Sequence, residues 1–341
     1  MAMYHFGGHT ERLPNSCCLL WYKKIFSSIN KMYLKMVVNK KKLLDCRFYL
    51  FYHDIIKFEY MNKNKEKIMK KISVIGAGLV GATSVYSMML KEIADEIALI
   101  DIDDKRSNAE VWDIRHGFPE LSKTIVKKGT YADCKDSDVI VITAGVARKV
   151  GESRNDLLIK NSKIMESICA EIKATNTNAV VVVVSNPVDV LANHAAKFLQ
   201  MPKGKVLGTG CTLDTSRMVA LLAERLNKPA SSINAPVVGE HGDEQIVLWD
   251  EVTIDGKKAN FSDEEKQELA EAVKKAGMTI IEGKGKTYYG IATTVCAIAT
   301  SILLDTPMKY AVSVPNENEE KALSMLCTIA RQGIVEAFPY K

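Results

Sequence analysis

Histidine is the side chain whose ordinary pKa lets it give and take a proton near neutrality, and this 341-residue chain has six. His241 is set apart by its surroundings, GEHGD, in which Gly239 and Gly242 keep a loop open to an approaching ligand. His5, His9 and His53 fall in an N-terminal stretch of different composition, and His116 and His194 fall in expected helices, where structural roles are the ordinary ones. Asp214 and Arg217, in TLDTSR, are three residues apart, so on a helix both project from one face. Asp214 also reads as a helix N-cap, with Thr212, Thr215 and Ser216 around it. Arg154 closes GESR on a long expected loop after an apolar run. Taken alone, either arginine would read as half of a surface ion pair.

A second chemistry is written in glycines. KISVIGAGLVGATSVYSMML is a β-branched run, then Gly76, Gly78 and Gly81, then a helical stretch. In that order Gly76 permits a tight turn, Gly78 lets backbone approach a pyrophosphate, and Gly81 lets helix and strand pack closely. The pyrophosphate then sits on the positive end of the helix. Glycine triplets also occur at plain turns, so the second half of the signal matters. Twenty residues after Gly81 the strand EIALID ends in Asp101, a carboxylate that can accept ribose hydroxyls and would repel a 2′-phosphate, which favours NAD over NADP. Asp103 and Asp104 compete for that assignment, and Asp101 could instead cap the loop.

The elements that must position these residues follow from period and run length. VIVITAG and AVVVVVSNP are nearly uninterrupted apolar runs, as in parallel strands buried on both faces. Between them Leu157, Leu158, Met165, Ile168 and Ile172 recur at helical spacing. The alternation predicts an α/β fold, a doubly wound parallel sheet of the Rossmann kind, with ligands at the carboxyl ends of strands: Thr143 to Gly145, then Ser185, Asn186 and Pro187. The Asn186–Pro187 bond is a candidate cis peptide. A second α+β domain follows from about residue 210. It holds a long helix that starts at a Ser/Asp signal over 262–265 and ends near Gly283 and Gly285, and a final helix expected over 318–337.

GAGLVG, ITAGVARKVGESR, VSNPVDV, GTGCTLDTSR, VVGEHGD and KTYYGIA, in this order and spacing, resemble the lactate/malate dehydrogenase family over residues 69 to 341. The resemblance implies an NAD-binding domain over 69–209, a catalytic domain over 210–341, and hydride transfer between NADH and a small 2-oxo acid. It implies His241 as proton donor paired with Asp214, Arg217 as a clamp on the substrate carboxylate, and Arg154 as a lid residue that polarises the carbonyl. Asn161 and Asn186 are implied at the cofactor, with Asn186 and Thr287 also at the substrate. Arg148 stands where relatives that reduce oxaloacetate have Arg and those that reduce pyruvate have Gln. A second carboxylate entering a closed site needs a cation, and pyruvate would leave that cation buried without a partner. Glu152 and Thr287 look more like the lactate enzymes. On the charge argument the expected pair is oxaloacetate/malate, the alternative pyruvate/lactate, and the remote alternative a non-catalytic NAD-binding protein. The resemblance also implies a homodimer or tetramer.

Composition narrows the classes. Hydrophobic residues make up 47% of the chain and charged residues 26%, material for a large core. The net charge of +5 is uneven: residues 1–68 carry 13 Lys/Arg against 5 Asp/Glu, so the remainder is slightly acidic and gives no reason to invoke nucleic acid or a membrane surface. Eight cysteines without CxxC spacing read as reduced thiols in a cytoplasmic protein, and Cys211, beside TLDTSR, as core filling. No metal-ligand spacing occurs, and none is needed for this chemistry. The 1–68 stretch shows no sustained period. A targeting sequence would be richer in Arg and Ser, and a basic tail or upstream DNA read in frame are the other readings. It is expected to be disordered or an artefact of the reading frame, with the natural start at Met69 or Met61.

Overall fold

The computed structural model describes residues 69–117, 119–146 and 153–340, so the readings of residues 1–68, Arg148 and Glu152 lie outside the described residues. β1 (Lys71–Ile75) has its last four residues buried and feeds, through the glycine turn, α1 (Leu79–Leu90). β2 (Glu96–Ile100) and α2 (Asp104–His116) repeat the unit, with Asp103 capping α2 by accepting from the backbone N–H groups of Lys105 and Arg106. β3 (Ile125–Lys128), β4 (Val139–Ile142), α3 (Arg154–Ala174), β5 (Val180–Val183), α4 (Val188–Leu199) and β6 (Val206–Gly208) complete a parallel sheet in the order β3-β2-β1-β4-β5-β6.

Every residue of β4 (VIVI) and β5 (VVVV) is buried, because helices cover both faces. The two-residue period of the strands sorts the side chains. Val139, Val141, Val180 and Val182 join a core with Val85, Met88 and Val111 of α1 and α2, while Ile140, Ile142, Val181 and Val183 join Met165, Ile172 and Leu191 of α3 and α4. Each such side chain contributes about 1.5–3 kcal/mol on leaving water.

The second half hangs on the same sheet. It comprises α5 (Thr212–Leu226), β7 (Ile233–Asn234), β8 (Val237–Gly239), β9 (Gln245–Val247), β10 (Thr253–Ile254), β11 (Lys257–Lys258), α6 (Asp263–Lys284), α7 (Tyr289–Leu304), β12 (Met308–Val314), β13 (Leu323–Ala330) and β14 (Gly333–Phe338). β12, β13, β8 and β9 extend the sheet beyond β6, β14 pairs with β13, and β11-β10-β7 form a separate small sheet. The join between parallel and antiparallel parts is the pair Ser313↔Gly208. A Cβ on Gly208 would lie 2.6 Å from Ser313 Oγ, so only glycine fits there.

The long helix expected after residue 262 is α6. Ser262 accepts from the Glu265 backbone N–H while the Glu265 side chain accepts from that of Ser262, and Gly285 ends the helix at φ +82°. The helix expected over 318–337 is instead the hairpin of β13 and β14. Its Glu, Ala and Leu suit a helix locally, but β13 makes seven register pairs with β12 and turns back at Gly333, φ +88°. Long-range pairing outweighs weak local preference. Among the described residues no helix is long and apolar enough to cross a membrane.

Candidate active site

The glycine turn fits a dinucleotide by shape. Gly76 has φ +110°, and a Cβ there would lie 2.6 Å from the Ala144 backbone nitrogen; one on Gly81 would lie 1.8 Å from the Gly76 carbonyl. Gly78 differs: no atom lies within 4 Å of where its Cβ would be, and α1 starts there without a side-chain cap. A helix N-terminus facing open space suits a diphosphate. Asp101 is the carboxylate that reaches this turn, its Oδ2 accepting from Ala77 N–H at 2.6 Å and its Oδ1 from Asp103 N–H at 2.9 Å. Asp103 is occupied at the cap of α2 and Asp104 with Lys128 at 2.8 Å, so the three aspartates are separated by geometry. Arg106 Nε donates to the Ala77 carbonyl at 2.9 Å.

At the carboxyl ends of the strands lies a cavity of about 330 Å³, whose lining includes Thr143, Gly145, Asn161, Asn186, Arg217, His241 and Thr287. The Asn186–Pro187 bond is cis. Asn161 is 3% exposed, and its amide bridges the two strand ends: Nδ2 donates to the carbonyls of Val146 (3.2 Å) and Asn186 (2.8 Å), and Oδ1 accepts from Val146 N–H at 2.9 Å. It therefore holds the backbone that shapes the cavity. Asn186 Oδ1 accepts from Val188 N–H at 3.2 Å.

On the far wall, α5 brings Asp214 and Arg217 onto one face, as their spacing predicts. Asp214 lies inside the first turn rather than at the cap, is 1% exposed, and serves two partners. Its Oδ2 accepts from His241 Nδ1 at 2.6 Å and its Oδ1 from Arg217 Nη1 at 2.9 Å. Burial opposes ionisation of Asp214, but hydrogen bonds and charge from His241 and Arg217 prevail and hold its carboxyl below the usual range. Burial likewise opposes an imidazolium at His241. The Asp214 hydrogen bond and charge, with the charge of Asp189, overcome burial and the repulsion of Arg217, so the pKa is raised. With Nδ1 committed to Asp214, Nε2 is the nitrogen left for a substrate. Cys211, fully buried beside this cluster, is core filling, its thiol pushed up by burial.

Asp189 was missed by the sequence reading. It is 3% exposed on the first turn of α4, and its Oδ2 accepts from the backbone N–H of His241 at 2.8 Å. Burial pushes its pKa up. The signal was an acid among Val188, Val190 and Leu191, which also reads as an ordinary acid in a helix first turn.

Arg154 stands elsewhere in the backbone than expected. It opens α3 rather than sitting in a loop, because Ser153 and Asp156 form a capping box: Ser153 accepts from Asp156 N–H at 3.0 Å, and Asp156 accepts from Ser153 N–H at 3.2 Å. The Arg154 side chain is outside the described part.

Residues 70–208 match the family described as lactate/malate dehydrogenase, NAD binding domain, and residues 211–340 match lactate/malate dehydrogenase, alpha/beta C-terminal domain. The chain is 38% identical over 271 residues to an L-lactate dehydrogenase of Halalkalibacterium halodurans, covering 77% of this chain and 87% of that protein. It is 39% identical over 286 residues to an L-lactate dehydrogenase of Acetivibrio thermocellus, covering 80% and 90%. Among solved structures, the minor L-lactate dehydrogenase of Enterococcus mundtii in its ligands-bound form superposes with a TM-score of 0.77 at 30% identity, covering 81% of this chain and 92% of that one. The malate dehydrogenase of Picrophilus torridus in its apo form gives 0.75 at 29%, covering 80% and 90%. Sheet order, glycine turn and the matches along both halves agree, and the chain belongs to the lactate/malate dehydrogenase family as an NAD-dependent oxidoreductase.

Proposed function

We propose that this enzyme interconverts pyruvate and L-lactate. The observation that carries the reading is the likeness along both halves to relatives named L-lactate dehydrogenase, with Arg217 on the cavity wall to hold a carboxylate. Thr287, small and uncharged, lines the same cavity, and the relatives above carry the name L-lactate dehydrogenase. The charge of Arg148 favours oxaloacetate. That remains the second reading, on the strength of the residue type and its place in GVARKVGESR. The measurement that decides is kcat/KM for pyruvate against oxaloacetate with NADH. A ratio above one supports the lactate reading, and a ratio below one replaces it with malate.

The residues divide the work. Gly76, Gly78, Gly81 and Asp101 would hold NAD, whose nicotinamide, when bound, supplies or takes the hydride. Arg217 has Nη1 on Asp214 and turns its remaining donors to the substrate carboxylate. His241 gives its Nε2 proton to the carbonyl oxygen. Asp214, held ionised, stabilises the imidazolium before transfer and fixes the tautomer after it. Asn186 and Thr287 shape the cavity around the substrate, and Arg154 is assigned to polarise the carbonyl. Residues 69–209 serve the cofactor and 210–341 the substrate. Exposed Met278, Ile280 and Ile281 near the end of α6 support self-association as a dimer or tetramer, which light scattering on the eluted peak would measure.

A further inference from the structure

The connection between β12 and β13, residues 315–322, is tied to α4 from end to end. Asn193, fully buried on α4, accepts from Asn316 N–H at 2.9 Å through Oδ1 and donates to the Glu319 carbonyl at 2.7 Å through Nδ2. Lys197 Nζ donates to the same carbonyl at 2.6 Å, and Ala322 N–H donates to the Asp189 carbonyl at 3.0 Å. The segment is thus a strap laid along the helix that begins immediately after Asn186 and Pro187.

From the end of this strap Lys321 reaches the loop that carries His241. Its ammonium pairs with Glu240, directly before His241, and with Glu244, three residues after it, at 3.4 Å. Gly239 (φ +94°) and Gly242 (φ +128°) lie on either side of His241 with the conformational freedom of glycine. The loop's other fixed points include the pairing of Gly239 with Gln245 and Ser324 at its base and the Asp189 and Asp214 contacts at His241 itself.

We propose that Lys321 is a positioning residue for catalysis: by bridging Glu240 and Glu244 it braces the turn between β8 and β9 and sets the imidazole against the strand ends that α4 and the strap share. Lys321 does not line the cavity, so its effect belongs in kcat and not in the KM for NADH. The bridge is partly exposed, with the Lys321 side chain 41% accessible, and therefore salt-sensitive.

The proposal rests on His241 as proton donor, and the experiment separates the two. Lys321→Met and Lys321→Arg are compared in the full chain, and Lys321→Met is repeated in a Glu240→Gln/Glu244→Gln background. Readouts are steady-state kinetics with NADH and pyruvate at low and high KCl, and backbone hydrogen exchange over 239–245. Expected is a fall in kcat of about threefold to tenfold in Lys321→Met, with unchanged KM for NADH, retention in Lys321→Arg, and faster exchange in the loop. KCl should lower wild-type kcat toward that of Lys321→Met, and the substitution should cost nothing further in the neutral background. Wild-type kcat and exchange in Lys321→Met, or an equal loss in the neutral background, overturn the clamp. If the unaltered enzyme turns over neither pyruvate nor oxaloacetate, the reading of His241 fails, and loop exchange alone still decides on Lys321.

Discussion

The glycine turn and the His241 cluster are built on opposite plans. The proposed cofactor end is a feature of backbone: three glycines within six residues, an open helix N-terminus and one carboxylate, Asp101, all drawn from one βαβ unit. The proposed proton-transfer end is a feature of side chains brought from far apart. His241 is held by Asp214, 27 residues away, and Asp189, 52 residues away, and both partners are almost wholly buried. A site made of shape tolerates changes of charge but not of volume. A site made of buried charges behaves the other way, because each ion is tolerable only while its partner remains.

Substitutions at the two ends should therefore fail differently. His241→Asn should lower turnover by a factor on the order of 10²–10⁴ while NADH affinity, followed by fluorescence titration, stays near its original value. Equal damage to both would erase the distinction between the ends. Gly81→Ala should do the reverse. Its Cβ would meet the Gly76 carbonyl at 1.8 Å, and overpacking of about 1–3 kcal/mol should appear as weaker NADH binding and a lower Tm. A variant that binds NADH normally would show that this turn is not shape-limited.

Arg148→Gln tests whether charge decides at the substrate's distal end as it does at His241. If Arg148 meets a second carboxylate, kcat/KM for oxaloacetate should fall by about tenfold or more while that for pyruvate rises. A parallel fall with both acids would mean a disturbed loop and no specificity role.

The smallest effect expected is a displacement along the pH axis. Because the His241 pKa is raised in the folded enzyme, 2-oxo acid reduction should hold from neutral pH upward and decline as pH climbs through that raised value, while hydroxy acid oxidation gains. Asp214→Asn removes the main raising influence, so the decline should begin at lower pH; Asp189→Asn should shift it the same way by less. Profiles of kcat/KM against pH for the three proteins check both sign and order.

Legibility in the sequence follows the same division. Gly76, Gly78, Gly81 and Asp101 could be read because strand, turn and helix are consecutive and each glycine answers a local need. Asp214 and Arg217 could be read because a three-residue spacing fixes a shared face. Asp189 could not, since its role exists only once a loop 52 residues away packs against α4. Arg154 was placed in a loop because Ser153 and Asp156 went unrecognised as a capping box. The helix expected over 318–337 failed for a related reason: β13 is a strand because β12 and β14 flank it, and that information is not in its own residues.

The pairing of Ser324 with Gly239 and the reach of Lys321 to Glu240 set an order of events during synthesis. Strands β1 to β6 leave the ribosome by Gly208, but the loop carrying His241 does not gain its contacts with Lys321 and Ser324 until those residues are translated. Nascent chains stalled near residue 300 should already be retained on an immobilised NAD analogue and yet be inert toward 2-oxo acids, so that the growing enzyme acquires its cofactor before it acquires its chemistry.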